Sequence, residues 1–390
     1  MRPFAFLCAT ALLLPSFRAQ EPEAGSQLVA RRPPNVVLLL ADDLGFGELG
    51  CQGQRHMKTP HLDALATTGM RFSQAYCGAP VCAPSRCVLL TGKSPGHATI
   101  RDNAEQQPEG QAPIGDAETT LAEMLRQRGY ATACIGKWGL GYPGSEGDPR
   151  RQGFDRFYGY NCQRHAHTHF PSWLWDDDHK VEIAANQGGV EGAHSSDLIT
   201  EQAVAFVRAH RDEPFFLYVP FALPHLALQT TAEHLAAYRS AFDETPYEGK
   251  SYRPHPQPRA CYAAMVSHLD ACVGRIVAAI DELGLAEDTL ILFSSDNGPT
   301  HLPAQVDVEF FASTGGLRGL KGSVYEGGIR VPMLARWKGR IQKGTVRDRV
   351  VAFQDVMPTL CELAGGAVPA AADGVSFAPT LVGNDAAQAE

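Results

Sequence analysis

The chemistry in this sequence concentrates in the stretch Val81-Cys82-Ala83-Pro84-Ser85-Arg86-Cys87. Pro84 suits the first turn of a helix, where a missing N–H costs nothing. The apolar run that follows, with Gly92 and Pro95 as stops, predicts a short helix with Cys82 at its mouth. A spacing of four lets Cys82 and Arg86 share one face. The dipole and free N–H groups of a helix start favour negative charge. Cys82 is therefore placed for an anionic nucleophile, or beside an anion under attack. A half-buried structural cysteine next to a solvated arginine fits the same local pattern, so the other polar residues must discriminate.

Those residues sit where apolar runs end. Asp42 and Asp43 follow the run from Asn35 to Leu40, and Asp296 and Asn297 follow the run from Thr289 to Ser295. Each pair could be a solvated turn. Together they are four hard oxygen donors, a set that suits Ca²⁺ or Mg²⁺ better than zinc. Lys137 lies in Gly136-Lys137-Trp138-Gly139-Leu140-Gly141, His225 follows the run from Phe215 to Val219, and Lys321 lies in a glycine-rich segment, 315–328. A divalent ion beside Cys82 and Arg86, ringed by Lys137, His225 and Lys321, makes a site for a small tetrahedral oxyanion. Cations neutralise its non-bridging oxygens, the metal activates a nucleophile, and one group protonates the leaving oxygen. His165, His167 and His169 alternate and share one side if extended. They are either a transition-metal site or a row of substrate-facing hydrogen-bond donors.

A scaffold must bring these positions together. Uninterrupted apolar runs are what strands buried on both faces of a parallel sheet require. Helical patterns start near Thr59, Thr119 and Ser196, and the longest runs from Tyr262 to Leu285 with Val266, Leu269, Val273, Ile276 and Ile280 as its stripe. The last strand is expected between Ile329 and Trp337, with a short helix from Gln354 to Gly365 after it. Residues 142–190 read as irregular and the tail from Ala367 as loosely ordered. Strand and helix alternate throughout, which predicts an α/β fold: a mostly parallel central sheet with helices on both faces. Ligands of such sheets bind beyond the carboxyl ends of the strands. Five strand ends, carrying Asp42/Asp43, Lys137, His225, Asp296/Asn297 and the Lys321 loop, then gather on one edge, where Cys82 can join them.

The 390 residues carry 34 Lys and Arg against 43 Asp and Glu, a net charge of −9. That excludes a nucleic-acid footprint and a broadly basic face, so an anionic substrate has to be met by local cations. Residues 1–19 read as an export signal: Arg2, an apolar Phe4–Phe17 segment too short to span a bilayer, and small Ala19 before Glu21 and Glu23. Residues 20–33 read as a linker, 34–365 as one catalytic domain, and 366–390 as a short tail. No later stretch reads as a membrane helix, so the protein is expected to be exported, periplasmic or secreted. Ten cysteines show no C-x-x-C metal spacing. Nine remain beyond the signal, so in an oxidising compartment at least one is free or has another use.

The segments N-V-V-L-L-L-A-D-D-L-G, C-A-P-S-R-C-V-L-L-T-G, I-G-K-W-G-L-G, F-S-S-D-N-G and G-L-K-G-S-V-Y-E-G-G-I-R-V-P occur in this order across most of residues 34–365. In them the chain resembles the formylglycine-dependent sulfatases, of the alkaline phosphatase superfamily. The resemblance implies that Cys82 is oxidised to formylglycine by a formylglycine-generating enzyme. One hydroxyl of the hydrated aldehyde attacks sulfur, and the other then expels sulfate. By the same resemblance, Asp42, Asp43, Asp296 and Asn297, with the modified Cys82, bind Ca²⁺. Arg86 steadies the formylglycine, Lys137 and Lys321 hold sulfate oxygens, and His225 is the general acid.

Two features depart from that family. Its members usually read G-K-W-H-L-G, with a histidine that assists aldehyde hydration and sulfate release. Here the position is Gly139, and His165 or His167 are the expected substitutes, placed to meet substrate. Members also usually continue into a small C-terminal domain with a four-stranded antiparallel sheet. Only a short tail follows D-V-M-P-T-L here, as in a fragment or a truncated form. Trp173 and Trp175 suggest stacking on sugar rings, so the expected substrate is a sulfated small molecule or glycan. The competing readings are a phosphatase or phosphodiesterase of the same superfamily and a catalytically weakened binder of sulfated glycans.

Overall fold

The computed structural model describes Met1 and residues 32–389, so the expected signal segment lies outside the described residues. Residues 33–389 form one compact unit. Its elements, in order, are β1 (Asn35–Ala41), α1 (Pro60–Thr68), β2 (Met70–Tyr76), α2 (Cys82–Thr91) and a small hairpin of β3 (Glu105–Gln106) and β4 (Gly110–Gln111). Then come α3 (Leu121–Gln127), β5 (Ala131–Lys137), β6 (Arg156–Tyr160), β7 (Trp173–Asp176), β8 (His179–Glu182), α4 (Ser195–Ala209) and β9 (Phe215–Pro220). The remainder is α5 (Ala232–Ala236), α6 (Pro258–Glu282), β10 (Thr289–Ser295), α7 (Glu326–Ile329), β11 (Met333–Arg336), β12 (Thr345–Ala352), α8 (Val356–Leu363) and α9 (Ala378–Leu381).

Ten strands form one sheet in the order β12-β2-β11-β10-β1-β9-β5-β6-β7-β8. Its centre is parallel: β1 pairs in register with β10 on one side and β9 on the other, and β5 continues with β9 and β6. All seven residues of β1 are buried. Successive side chains point to opposite faces. Val37 and Leu39 pack with Ile199 of α4 and Val266, Leu269, Val273 and Ile276 of α6, whereas Val36, Leu38 and Leu40 pack with α2, α3 and α8. The expected layers, helices on both faces of a mostly parallel sheet, are present. Local signals agree with them. A capping box starts α3, with Thr120 Oγ1 accepting from Glu123 N at 3.2 Å and Glu123 Oε2 accepting from Thr120 N at 2.8 Å.

Four expectations need correction. Residues 142–190 are not irregular: β6, β7 and β8 extend the sheet there. β8 is exposed along its whole length, so it carries no hydrophobic period to read. β11 is not the last strand, because β12 pairs parallel with β2 as the opposite edge. The tail is docked, with Phe377 and Leu381 buried and the Phe377 ring edge-on to Phe72 at 5.6 Å. Finally, α6 is long and apolar enough, by length and composition, to cross a bilayer. Most of it is buried against the sheet and α4, as in the core helix of a folded domain.

Candidate active site

Four strand ends, not the expected five, supply the site: those of β1, β5, β9 and β10, with Lys321 coming from the long loop that follows β10. β1 delivers Asp42 and Asp43, and β10 beside it delivers Asp296 and Asn297; all four are nearly or wholly inaccessible. The turn after β1 is knit to β10: Asp43 N donates to Asp296 Oδ1 (3.2 Å), Leu44 N to Ser295 Oγ (2.9 Å), and Asn297 Nδ2 to Asp43 Oδ1 (2.7 Å). Gly45 is required there, since a Cβ would lie 2.2 Å from the Ser313 carbonyl oxygen. Buried Glu48 closes the turn, accepting from Gly45 N at 2.7 Å and from the Tyr262 hydroxyl at 2.9 and 3.0 Å.

α2 begins at Cys82, as its sequence predicts, with Val81 at the N-cap. Cys82 Sγ lies 3.5 Å from Asp42 Oδ1 and 3.4 Å from Lys321 Nζ. One turn later Arg86 is wholly buried. Its guanidinium donates to Asp42 Oδ2 (3.1 Å), to Asp296 Oδ2 (2.8 and 3.1 Å) and to the Lys137 carbonyl. Lys137 Nζ pairs with Asp42 Oδ2, and Lys321 Nζ with Asp43 Oδ1 at 2.7 Å. His225 faces the cluster, with Nε2 3.7 Å from Asp43 Oδ2. Its Nδ1 lies 2.6 Å from the Leu226 carbonyl and so carries a proton, which leaves Nε2 as the reactive nitrogen.

The electrostatics follow from burial among three acids and three permanent cations. Burial works against the Asp42 charge, but Lys137, His225, Arg86 and Lys321 outweigh it and hold Asp42 well below the usual range. Burial raises Asp43 and, with the charge of Asp42, raises Asp296 to about 6. Burial pushes the Cys82 thiol up, reinforced by Asp42. The helix start therefore does not make Cys82 a thiolate. His225 is lowered well below its ordinary value by burial and by Lys321 and Lys137, so it is neutral in the free protein.

The cluster could hold a metal ion. Asp42, Asp43, Cys82 and His225 offer atoms within 4.8 Å of one another. Asn297 Oδ1 is buried without a hydrogen-bond partner, although its Nδ2 has two acceptors. A second group, His194, Asp197 and His268, is also compact. There His194 Nδ1 accepts from Ser196 N, so Nε2 carries the proton and cannot ligate, and Arg275 lies 3.0 Å from Asp197.

The three alternating histidines do not share a side, because His165–His167 is a 3₁₀ turn rather than extended chain. His167 joins the site, stacked on His225 at 5.1 Å and edge-on to Tyr252 at 5.2 Å. His165 does not: its ring packs on Trp173 at 4.0 Å and Tyr160 at 4.9 Å. His169 Nε2 lies 2.8 Å from the His225 carbonyl and braces that loop. Trp173 is a poor sugar platform, since Lys180 Nζ lies over the same ring at 3.9 Å. Tyr252, Glu48 and Gln163 are the functional-site neighbours that sequence reasoning missed. Of these, only Tyr252 is an aromatic in a polar loop, a signal that could have been read.

Comparisons with known proteins identify the family and the fold. A family model for sulfatases matches residues 34–367. Human arylsulfatase A (Homo sapiens) is 35% identical over 382 residues, covering 91% of this chain and 69% of that protein. Human N-acetylgalactosamine-6-sulfatase is 33% identical over 371 residues, covering 90% of this chain and 66% of that protein. The crystal structure of Ps i-CgsB in complex with k-i-k-neocarrahexaose superposes with a TM-score of 0.77 at 28% identity, covering 90% of this chain and 77% of the other. By family match, identity and fold, this chain belongs to the sulfatases.

Proposed function

We propose that this sulfatase hydrolyses sulfate esters of carbohydrates through a formylglycine made from Cys82, with Ca²⁺ held by Asp42, Asp43, Asp296 and Asn297. The observation that carries the reading is the place of Cys82 Sγ, within 3.5 Å of both an acidic strand end and Lys321. The unpartnered Asn297 Oδ1 supports the ion. A relative named N-acetylgalactosamine-6-sulfatase, and a neighbour in complex with k-i-k-neocarrahexaose, support a sugar as the alcohol.

Calcium would supply a Lewis-acidic charge against which sulfate oxygens bind, and hydrated formylglycine a pair of geminal hydroxyls. The chain's own residues do the rest. Lys137 and Lys321 hold the sulfate oxygens. Arg86, fixed by two carboxylates and the Lys137 carbonyl, steadies residue 82 one helical turn away. Burial, and after it Lys321 and Lys137, lower His225, and an anionic ester between the two lysines offsets their part of that lowering. His225 Nε2 then takes a proton from solvent and gives it to the ester oxygen as the S–O bond to the alcohol breaks, while Nδ1 stays anchored to Leu226. Cys82 is 1% exposed, so its conversion by a formylglycine-generating enzyme must precede folding. We also propose that residues 1–19 are an export signal.

The test is hydrolysis of matched aryl sulfate and aryl phosphate, with and without EDTA, together with mass analysis of the Cys82 peptide. Sulfate hydrolysis, its loss in Cys82→Ala, and an aldehyde at residue 82 are expected. A Cys82→Ala protein with the wild-type rate overturns the proposal, and a preference for phosphate favours the phosphatase reading.

A further inference from the structure

The wall beside Arg86 holds an amide that the mechanism above does not use. β5 and β6 pair parallel to Lys137 and Tyr160, and the pairing runs on past both strands: Trp138 N donates to Tyr160 O (2.8 Å) and Gly139 N to Asn161 O (3.0 Å). This carries residues 161–163 alongside 138–140. Gly139 has φ +76° and no side chain. A Cβ built on it would lie 2.5 Å from Gln163 Nε2 and 4.0 Å from Arg86 Cδ. The Gln163 amide thus occupies the side-chain space of position 139, a space that the stem of Arg86, which grips Asp42 and Asp296, also borders.

Gln163 is 9% exposed, and both its Nε2 and its Oε1 are buried without a hydrogen-bond partner. Buried amides in that state are rare and call for an explanation. The carbonyls of this wall are engaged elsewhere. Lys137 O accepts from Arg86, Tyr160 O and Asn161 O from the backbone of Trp138 and Gly139, and Gly147 O from Trp138 Nε1 at 2.7 Å. The backbone of Gln163 is itself pinned, its N donating to Gln111 Oε1 at 3.3 Å. The donor is positioned, desolvated and lacks an acceptor, and an anion at the neighbouring cations brings acceptor oxygens.

We propose that Gln163 is a substrate-binding residue of this sulfatase, its Nε2 donating a hydrogen bond to an oxygen of the bound sulfate group over Gly139. The inference rests on the acidic strand-end cluster being the sulfatase centre. It makes Gly139 a functional glycine, since any side chain there expels the amide. This is a binding role, distinct from the assistance to aldehyde hydration and sulfate release for which His165 and His167 are the substitutes expected from sequence.

The experiment uses Gln163→Met, which keeps length and volume and removes both polar atoms. Three quantities are read on the full chain: kcat and KM for an aryl sulfate, the Kd of inorganic sulfate, and Tm. A donor to an anionic oxygen predicts a loss in kcat/KM of roughly tenfold to a hundredfold. It also predicts weaker sulfate binding and a Tm unchanged or higher, because two unpaired buried atoms are gone. Gly139→Ala should show the same kinetic loss, and much less additional loss when combined with Gln163→Met. Wild-type kinetics and sulfate binding in Gln163→Met overturn the proposal, as does a lowered Tm with unchanged kcat/KM, which marks a packing role. If the wild type binds sulfate but turns over no sulfate ester, the functional reading fails instead, and sulfate affinity alone then judges Gln163.

Discussion

Glu48 offers a test of the site's electrostatics that needs no substrate. The carboxyl is wholly buried and ties the turn that presents Asp43 to α6 through Tyr262. Burial, outweighing its hydrogen bonds, raises it from 4.5 to about 7. A raised carboxyl means that the folded state holds its proton more tightly than the unfolded chain does. Stability is then complete below ~pH 4.5 and falls as pH rises through ~7. The size of that fall is about 3 kcal/mol, from 1.36 kcal/mol for each pH unit of displacement. Glu48→Gln removes the ionisation and keeps the shape: its amide oxygen can accept from Gly45 N, and its NH₂ can donate to the Tyr262 hydroxyl. The variant should match the wild type near pH 5 and exceed it near pH 8 by about 3 kcal/mol, which is about 4 °C in Tm for a chain of this size. Thermal unfolding is followed from pH 4.5 to 8 with EDTA present, so that the carboxyls report their metal-free state. Parallel wild-type and variant curves, or a variant that is less stable near pH 8, would refute the reasoning.

Two further outcomes follow from the same cluster. Arg86→Met leaves Asp42 and Asp296 buried without their shared cation and should cost about 3–5 kcal/mol by urea unfolding at neutral pH. That deficit should shrink as pH falls toward about 6, because Asp296, which Arg86 lowers in the wild type, takes its proton at higher pH in the variant; a deficit independent of pH contradicts the pairing. Calcium should raise Tm more near pH 8 than near pH 5, because protons compete with it for the raised Asp43 and Asp296. Equal shifts at both pH values would place the ion elsewhere.

Much of the scaffold was legible because burial on both faces leaves a plain trace. Asn35–Ala41 and Thr289–Ser295 are uninterrupted apolar runs, and the polar residues that end them had to lie on one edge once the sheet was parallel. Asp42, Asp43, Lys137, His225, Asp296 and Asn297 converge for that reason, whereas Lys321 arrives from the loop after β10 rather than from a strand end of its own. Cys82 joins them from a helix start that Pro84 and Gly92 had marked. What escaped reading depends on neighbours distant in sequence. His165 has a ligand's chemistry but spends its ring on Trp173 and Tyr160. A period-two argument misplaced it because a 3₁₀ turn, not a strand, carries it. Gln163 resembles any loop glutamine until the β5–β6 register sets it over Gly139. Glu48 is unreadable locally, since its burial comes from Tyr262 on a helix far along the chain.

The charge balance of the cluster explains why such a site should need an ion at all. Asp42, Asp43 and Asp296 face Arg86, Lys137 and Lys321, three acids against three cations, each cation paired with at least one acid. Left to themselves these groups neutralise one another, and the lysines that should meet sulfate are held by Asp42 and Asp43. One divalent cation held by these carboxylates would change both terms. It would supply the positive surplus that a sulfate ester requires, and it would compete for the carboxylate oxygens that pair with Lys137 and Lys321. The metal and the anion should therefore bind with positive coupling, each tightening the other by the same factor. Sulfate titrations at several calcium concentrations read that factor, and sulfate affinity indifferent to calcium would show that the lysines are available without it.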